Sequence, residues 1–281
     1  MIVDGRALAK EILAQVKARA DALSRTPHVT VLVTSETPAT KSYLSIKRRR
    51  AIDAGCVLDI VRLPEDASTA ALRAAVLAAA QRALENPVAE SAIIVQLPLP
   101  VTVETKEVCD TIPLAKDADV LSSAARAAFI DTKDALLPPV VGAIRKVFAF
   151  GKVEIAGKRV VVLGAGFLVG APVAQWLRGQ GAEVEVLTKE SVNSVAVLGT
   201  ADIVISGAGS PHFITPDLLK EGVVLIDAGT SESGGIIVGD ADPTCAQKCS
   251  LFTPVPGGIG PIAVATLFEN VVTLAEKTTH N

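Results

Sequence analysis

Residue types that mark several specialised protein classes are scarce in this sequence of 281 residues. It has three histidines, one tryptophan, one tyrosine and four cysteines. The cysteines are too sparse for a disulfide framework, and we expect reduced, buried thiols. Cys245 and Cys249 are close in sequence, but no histidine lies near them. No metal site is therefore predicted.

The chain also lacks an excess of positive charge and a long apolar run. Its 27 basic and 30 acidic side chains give a formal net charge of −3, whereas proteins that bind nucleic acids usually carry a basic excess. No uninterrupted apolar stretch reaches the roughly 18 residues that cross a bilayer. Asp4 and Arg6 interrupt the place where a signal peptide would be apolar. We predict a soluble, cytoplasmic protein without a membrane or nucleic-acid partner.

The apolar pattern alternates between helix and strand periods, which is typical of an α/β protein with parallel sheets. We predict two three-layer α/β domains with a cleft between them, and a break at Leu136-Leu-Pro-Pro139. The first domain spans 1–137 and the second, a Rossmann-like dinucleotide-binding domain, spans 138–261, with the helical segment 262–281 packing back on the first. The predicted helices are 4–24, 38–54, 68–85, 141–150, 170–179 and 262–277, and the predicted strands are 29–34, 57–63, 92–97, 159–163, 183–187, 203–206 and 223–227.

A glycine turn follows the apolar strand 159–163. Gly164, Ala165, Gly166 and Gly170 lie between this strand and a helix, the context in which glycines let the backbone approach a pyrophosphate at a helix N-terminus. A tight turn without a ligand is the alternative. The next strand ends in Lys189, which favours the 2′-phosphate of NADP, although the adjacent Glu190 leaves NAD and a solvated lysine open.

A second set of polar residues precedes this turn. Tyr43 and Lys47 lie four residues apart on one face of a predicted helix, where a lysine beside a phenol could act as an acid or base. Because Arg48, Arg49 and Arg50 follow, an exposed surface helix is the alternative. Gln96 is a polar residue at the end of an apolar strand, and such a residue faces the crevice where ligands usually bind.

Two further segments could contact a ligand. Asp117 and Asp119 could each bind a polar ring or cap the next element. The loop 253–261, rich in proline and glycine, either presents backbone donors to a ligand or connects the domains.

Seven segments in order resemble the bifunctional methylenetetrahydrofolate dehydrogenase/methenyltetrahydrofolate cyclohydrolase family. Together they span nearly the whole chain, and their agreement in order is what carries the resemblance. They are Val3-Asp4-Gly5, Tyr43 with Lys47, Val95 to Pro100, Pro113 to Asp119, Gly164 to Gly170, Ala201 to Ser206, and Thr253 to Pro261.

The resemblance implies an enzyme of one-carbon metabolism. It would oxidise 5,10-methylenetetrahydrofolate with NAD(P)⁺ and hydrolyse the methenyl product to 10-formyltetrahydrofolate, as a homodimer formed through the second domain. Lys47 would be the catalytic lysine, Gln96 would orient it, Tyr43 would pack near the folate ring and Asp119 would hold the pterin. The resemblance further implies substrate contacts from Leu97, Pro98, Gly257, Gly258 and Pro261, and contacts to NADP, or to NAD, from Gly164, Ala165, Gly166, Gly170, Lys189, Gly207 and Thr230.

The sequence departs from the family pattern at several positions. Ala165 and Gly166 replace the arginine and serine of the glycine turn, and Val120 replaces a glycine after Asp119. Ile262 and Ala263 replace methionine and threonine. These departures leave two alternatives to the bifunctional enzyme: a cyclohydrolase without dehydrogenase activity, and a non-catalytic paralogue. A dehydrogenase acting on an unrelated small substrate would explain only the glycine turn.

Overall fold

The computed structural model describes residues 1–35, 37–85, 92–132, 135–191, 194–233 and 236–279. The last two residues of the predicted segment 262–281 lie outside them. In chain order the helices and strands are α1 (Gly5–Asp21), β1 (His28–Val33), α2 (Pro38–Asp53), β2 (Val57–Arg62), α3 (Thr69–Glu85), β3 (Ala92–Val95), α4 (Thr105–Cys109), α5 (Ser123–Asp131), α6 (Pro139–Gly151), β4 (Arg159–Leu163), α7 (Gly170–Gly179), β5 (Glu183–Leu187), α8 (Ser194–Leu198), β6 (Ile203–Ser206), β7 (Val223–Asp227), β8 (Ser231–Ser233), β9 (Ile236–Val238), β10 (Cys249–Thr253) and α9 (Ile259–Thr279).

Contacts along the chain define two compact units. The first unit comprises residues 10–139 and 264–281, and the second comprises residues 1–9 and 140–263. The boundaries predicted from the sequence differ from these units mainly in the first nine residues. These group with the second unit because the backbone N–H of Val3 donates to the carbonyl of Phe252 at 2.9 Å, and Ile2 forms a parallel bridge to the same residue.

The first unit is built on a parallel three-stranded sheet in the order β2-β1-β3. Strands β1 and β3 are mostly apolar and almost wholly buried, as expected for strands covered on both sides. The edge strand β2 is largely exposed. One core cluster is formed by residues from β1, α3, β3 and the segment after it, among them Leu32, Leu72, Val76, Ile93 and Val95.

The second unit is built on a parallel five-stranded sheet in the order β10-β7-β6-β4-β5. At the carboxyl end of this sheet, Leu163 of β4 lies beside Ser206 of β6, and Ser206 lies beside Asp227 of β7. The loops after β4, β6 and β7 therefore leave the same edge. Strands β8 and β9 form a separate antiparallel pair. The core includes Val161, Leu198, Leu225 and Phe252.

The predicted α/β class with parallel sheets is confirmed, and most strand bounds agree to within one residue. Strand β3 ends at Val95 rather than at 97, since Pro98 and Pro100 follow and proline supplies no ladder donor. Helices α4, α5 and α8 and strands β8 to β10 were not predicted, because segments of three to nine residues carry little periodic signal. All four cysteines are free and buried, as expected.

The C-terminal helix α9 is buried in the protein rather than exposed. By length and composition Ile259–Thr278 could cross a membrane, but 61 % of its most apolar window is buried, as in the core helix of a soluble protein. Asn270 of this helix is 5 % exposed. Its amide nitrogen donates to the carbonyls of Ala118 at 2.8 Å and Leu137 at 2.9 Å. Helix α9 therefore fixes the loop that contains Asp117 and Asp119.

Candidate functional site

Helix α2 places Tyr43 and Lys47 one turn apart on the same face. The helix begins at Pro38, in the first turn where a missing N–H costs least. The hydroxyl oxygen of Thr37 caps it by accepting a hydrogen bond from the N–H of Thr40 at 3.2 Å. The two side chains differ in burial, since Tyr43 is 41 % exposed and Lys47 is 9 % exposed. The expected alternative of a wholly exposed surface helix is therefore wrong for Lys47.

Lys47 and Gln96 form a direct hydrogen bond. The ammonium group of Lys47 donates to Oε1 of Gln96 at 2.8 Å. Gln96 follows strand β3, and its backbone N–H donates to the carbonyl of Leu32 at 2.9 Å. Its side-chain Nε2 donates to the carbonyl of Leu97 at 2.8 Å, which orients the amide so that its oxygen faces the lysine. The carboxyl end of the sheet thus holds a buried amine against a neutral acceptor.

The two carboxylates that the sequence leaves equivalent have different environments. Asp117 is 1 % exposed and accepts hydrogen bonds from the backbone N–H groups of Leu121 at 3.0 Å and Ser122 at 2.7 Å. Asp117 therefore supports the turn into α5. Asp119 is half-buried and interacts electrostatically with Lys47. Of the two carboxylates, Asp119 is thus the one whose charge acts on the lysine.

Burial moves the pKa values of Lys47 and Asp119 toward each other. Burial lowers the pKa of Lys47 below its ordinary value, and the negative charge of Asp119 opposes part of that change. Burial likewise raises the pKa of Asp119, with Lys47 opposing the shift and Asp117 adding to it. Both effects disfavour the charged forms, because a buried ion loses its hydration. The site therefore increases the fraction of neutral amine at a given pH, which suits proton transfer.

Thr34 is a polar residue at the same sheet edge that the sequence analysis missed. It follows β1 directly and is 2 % exposed. Its hydroxyl has no hydrogen-bond partner in the part of the chain that the structure describes. A threonine directly after an apolar strand, at the edge where ligands bind in open α/β sheets, is the signal that could have identified it.

The glycine turn of the second unit joins β4 to α7 by close backbone packing. Gly164 has a φ of +90°, and a Cβ atom on Gly170 would lie 1.9 Å from the carbonyl oxygen of Gly164. By contrast, a Cβ atom on Gly166 would meet nothing within 4 Å. Val169 precedes α7 without a side-chain capping bond. These features fit a pyrophosphate, which needs a tight turn, open space above it and helix N–H groups.

The other predicted cofactor residues lie at the same carboxyl edge. The N–H of Gly207, after β6, donates to the carbonyl of Leu163 at 3.0 Å, and a Cβ atom on Gly164 would lie 2.9 Å from the oxygen of Gly207. Thr230 follows β7. Lys189 is exposed beyond β5. The structure thus brings Gly207 against the glycine turn and places Lys189 and Thr230 at the ends of other strands of this sheet.

The loop with Gly257, Gly258 and Pro261 belongs to the second unit. Gly257 has a φ of +108°, and the N–H of Gly258 donates to the carbonyl of Pro254 at 2.7 Å. A Cβ atom on Gly5 would lie 1.9 Å from the oxygen of Gly258, so the start of α1 packs directly on this loop. Pro261 lies in the first turn of α9. Leu97 and Pro98, joined by a cis peptide bond, follow Gln96 in the first unit.

Two family models match the chain. Residues 3–119 match the catalytic domain of tetrahydrofolate dehydrogenase/cyclohydrolase, and residues 138–279 match its NAD(P)-binding domain. The chain belongs to the tetrahydrofolate dehydrogenase/cyclohydrolase family. The resemblance seen in the sequence is therefore confirmed. Most of the catalytic-domain match lies in the first unit, and most of the NAD(P)-binding match lies in the second.

Individual relatives match over nearly their whole length. The bifunctional protein FolD of Methanococcoides burtonii is 34 % identical, covering 99 % of this chain and 97 % of the relative. FolD of Lactobacillus gasseri is 31 % identical, covering 98 % of each chain. Among solved structures, FolD of Trypanosoma brucei, complexed with NADP and an inhibitor, has a TM-score of 0.93 at 30 % identity, covering 100 % of this chain and 99 % of that one. The chain is a dehydrogenase/cyclohydrolase that acts on one-carbon tetrahydrofolates with NAD(P).

The environment of Lys47 predicts a specific effect of the substitution Asp119→Asn. The negative charge of Asp119 stabilises the ammonium form, so its removal will lower the pKa of Lys47 further below the ordinary lysine value. Carbon-13 labelling of lysine Cε and an NMR pH titration will measure this pKa, and the Lys47→Met variant will assign the resonance. Asp110→Asn is the matched control, because Asp110 bonds to Lys106 and Ser123 instead. A rise in the Lys47 pKa of Asp119→Asn would contradict the prediction.

Proposed function

We propose that Lys47 is the group that moves protons in the cyclohydrolase reaction. The observation that carries this proposal is the buried amine of Lys47, held 2.8 Å from the neutral oxygen of Gln96. A lysine serves as a general base only in its neutral form, and burial increases the neutral fraction by lowering the pKa. An acceptor without charge keeps the amine oriented and adds no charge that would restore the ammonium form.

In the hydrolytic step the amine of Lys47 acts twice, first as a base and then as an acid. The neutral amine of Lys47 accepts a proton from water while the water oxygen bonds to the methenyl carbon of the substrate. The ammonium that results returns the proton to N5 as the bond between N5 and that carbon breaks. The hydroxyl group on the former methenyl carbon loses its proton to solvent water at the same time, so that this carbon remains on N10 as a formyl group and the positive charge of the substrate leaves as one proton. Gln96 orients the amine throughout, since its own amide is fixed by the carbonyl of Leu97.

The remaining residues of the first unit bind the folate. Tyr43 offers an exposed aromatic ring one helical turn from Lys47, and stacked rings are a favourable arrangement. The carboxyl group of Asp119 hydrogen-bonds the polar edge of the pterin. Leu97 and Pro98 pack against the substrate beside Gln96. On the family resemblance alone, Gly257, Gly258 and Pro261, which belong to the second unit, are assigned as further substrate contacts.

The second unit binds the dinucleotide that the dehydrogenase step requires. When bound, the nicotinamide supplies the acceptor for the hydride of the methylene carbon. Gly164, Ala165, Gly166 and Gly170 would hold the pyrophosphate, and Gly207 and Thr230, after β6 and β7, would contact the rest of the cofactor. We assign NADP as the cofactor, with NAD as the alternative, because Lys189 supplies a cation at the end of β5 while Ala165 supplies none.

We also propose a cytoplasmic homodimer formed through the second domain, on the family resemblance. A single chain has a mass of 29.0 kDa. Analytical ultracentrifugation is expected to give twice that value, and a species with the mass of one chain across micromolar concentrations would contradict the dimer.

The substitution Lys47→Met tests the role of Lys47 because it keeps the length of the side chain and removes the amine. Loss of acid–base catalysis typically lowers a rate by about 100- to 10,000-fold, and we expect a loss in that range for hydrolysis of methenyltetrahydrofolate. The loss of its absorbance measures this rate. Lys41→Met, at an exposed position on the same helix, is the control and should retain activity. A Lys47→Met enzyme with the wild-type rate would contradict the assignment.

The substitution Lys189→Ala tests the cofactor assignment. An exposed ion pair contributes about 0.2 to 1 kcal/mol, so the KM for NADP⁺ should rise by roughly 1.4- to 5-fold while that for NAD⁺ stays unchanged. Formation of reduced cofactor from methylenetetrahydrofolate measures both. Lys158→Ala, before the amino end of β4, is the control. Equal changes for the two cofactors would show that Lys189 does not contact the 2′-phosphate.

A further inference from the structure

A buried carboxylate that the sequence analysis did not single out organises one loop of the second unit. Asp240 follows β9 and is 0 % exposed. Its Oδ2 accepts hydrogen bonds from the hydroxyl of Ser206 at 2.6 Å and from the backbone N–H groups of Ala208 at 2.8 Å and Gly209 at 3.3 Å. Its Oδ1 accepts from the N–H of Ser210 at 2.7 Å. One carboxylate therefore collects the donors of three consecutive residues of the loop after β6.

This loop packs directly on the glycine turn. A Cβ atom on Gly164 would lie 2.9 Å from the oxygen of Gly207 and 3.2 Å from Cα of Ala208. On the other side, a Cβ atom on Gly207 would lie 2.5 Å from Cγ1 of Val169. Because neither contact leaves space for movement toward the turn, the position of residues 207–210 sets one wall of the dinucleotide site.

Asp240 also supports the neighbouring loop after β7. A Cβ atom on Gly229 would lie 2.2 Å from Oδ2 of Asp240. The same loop is held by Asp227, whose carboxylate accepts from the N–H groups of Gly229 and Ala241, each at 2.9 Å. Burial raises the pKa of Asp227 to about 6, against the effect of these donors. The two carboxylates together bind the backbone of the loops after β6 and β7.

We infer that Asp240 is a positioning residue for the nicotinamide cofactor, because it holds residues 207–210 against the glycine turn and packs directly against Gly229 in the loop after β7. Charge-assisted hydrogen bonds to backbone N–H groups are strong and directional, and a preformed loop spares the ordering cost of binding. Because Asp240 is 0 % exposed, it acts through these loops rather than on the substrate directly. The inference rests on the proposed binding of the dinucleotide at Gly207 and Thr230.

The substitution Asp240→Asn tests this inference. The amide keeps one acceptor oxygen but places a donor where donors already point, so the loop loses its anchor. We expect the Kd for NADPH, measured by fluorescence titration, and the KM for NADP⁺ to rise at least 10-fold. The kcat of the dehydrogenase should change far less. Hydrolysis of methenyltetrahydrofolate, which needs no dinucleotide and uses Lys47, should stay within 2-fold of wild type.

Asp202→Asn is the matched control in the same unit. Asp202 also accepts a backbone hydrogen bond, from the N–H of Arg159 at 2.9 Å, and it pairs with Lys220. It lies at the amino ends of the strands, away from the glycine turn along the sheet, so its substitution should leave the Kd for NADPH unchanged.

The outcomes separate the inference from the proposed function. Wild-type Kd in Asp240→Asn, or an equal rise in Asp202→Asn, would overturn the positioning role. If Asp240→Asn fails to fold, Ser206→Ala decides, because it removes one donor and leaves the carboxylate. A Kd raised about 2- to 5-fold with full hydrolase activity then supports the role, and a wild-type Kd overturns it. A wild-type protein that binds neither NADPH nor NADH would instead overturn the cofactor assignment itself.

Discussion

The burial of an amine at the end of a hydrophobic sheet is the constraint on which the catalytic domain depends. Moving Lys47 out of water disfavours its ammonium form, and a buried charge without partners would destabilise the fold. Gln96 accepts from the amine without adding charge, and the carboxyl group of Asp119 adds an electrostatic partner. The surrounding backbone must therefore hold Gln96 and Asp119 in place while α2 delivers the lysine.

In the second unit a buried ionisable group is stabilised by direct hydrogen-bond donors. Asp240 is surrounded by backbone N–H groups and the Ser206 hydroxyl, which replace water around the carboxylate. In the second unit the Asp240 carboxylate fixes the backbone of a loop, whereas in the first unit burial changes the protonation of Lys47. Both arrangements lie at the carboxyl ends of parallel strands, because strands buried on both faces leave only their ends for polar groups.

Much of this arrangement was predictable from local sequence, and the rest depended on tertiary contacts. The glycine turn and the strands around it carry strong periodic and conformational signals, and the spacing of Tyr43 and Lys47 defines a helical face. The distinct environments of Asp117 and Asp119 arise from the backbone of residues 121–122 and from burial beside Lys47, which no local pattern records.

Asp240 and β10 illustrate the same limit. Asp240 accepts hydrogen bonds from donors 30 to 34 positions away in the chain, and its own neighbours in sequence show no periodic pattern. Strand β10 has five residues and is recognised by its pairing with β7. Features that depend on distant partners are invisible to reasoning from spacing and composition.

The loop beside the lysine shows why such contacts matter for the site. Val120 has a φ of +56°, a left-handed conformation that is unfavourable for a β-branched residue and is easily adopted by the glycine of the family pattern. Strain of this kind persists only where the surroundings determine the backbone. Here Asp117 binds the N–H groups that follow Val120, and Asn270 binds the carbonyl of Ala118. Because both flanks are anchored, the backbone around Asp119 is held in place even with a valine in the position of the glycine.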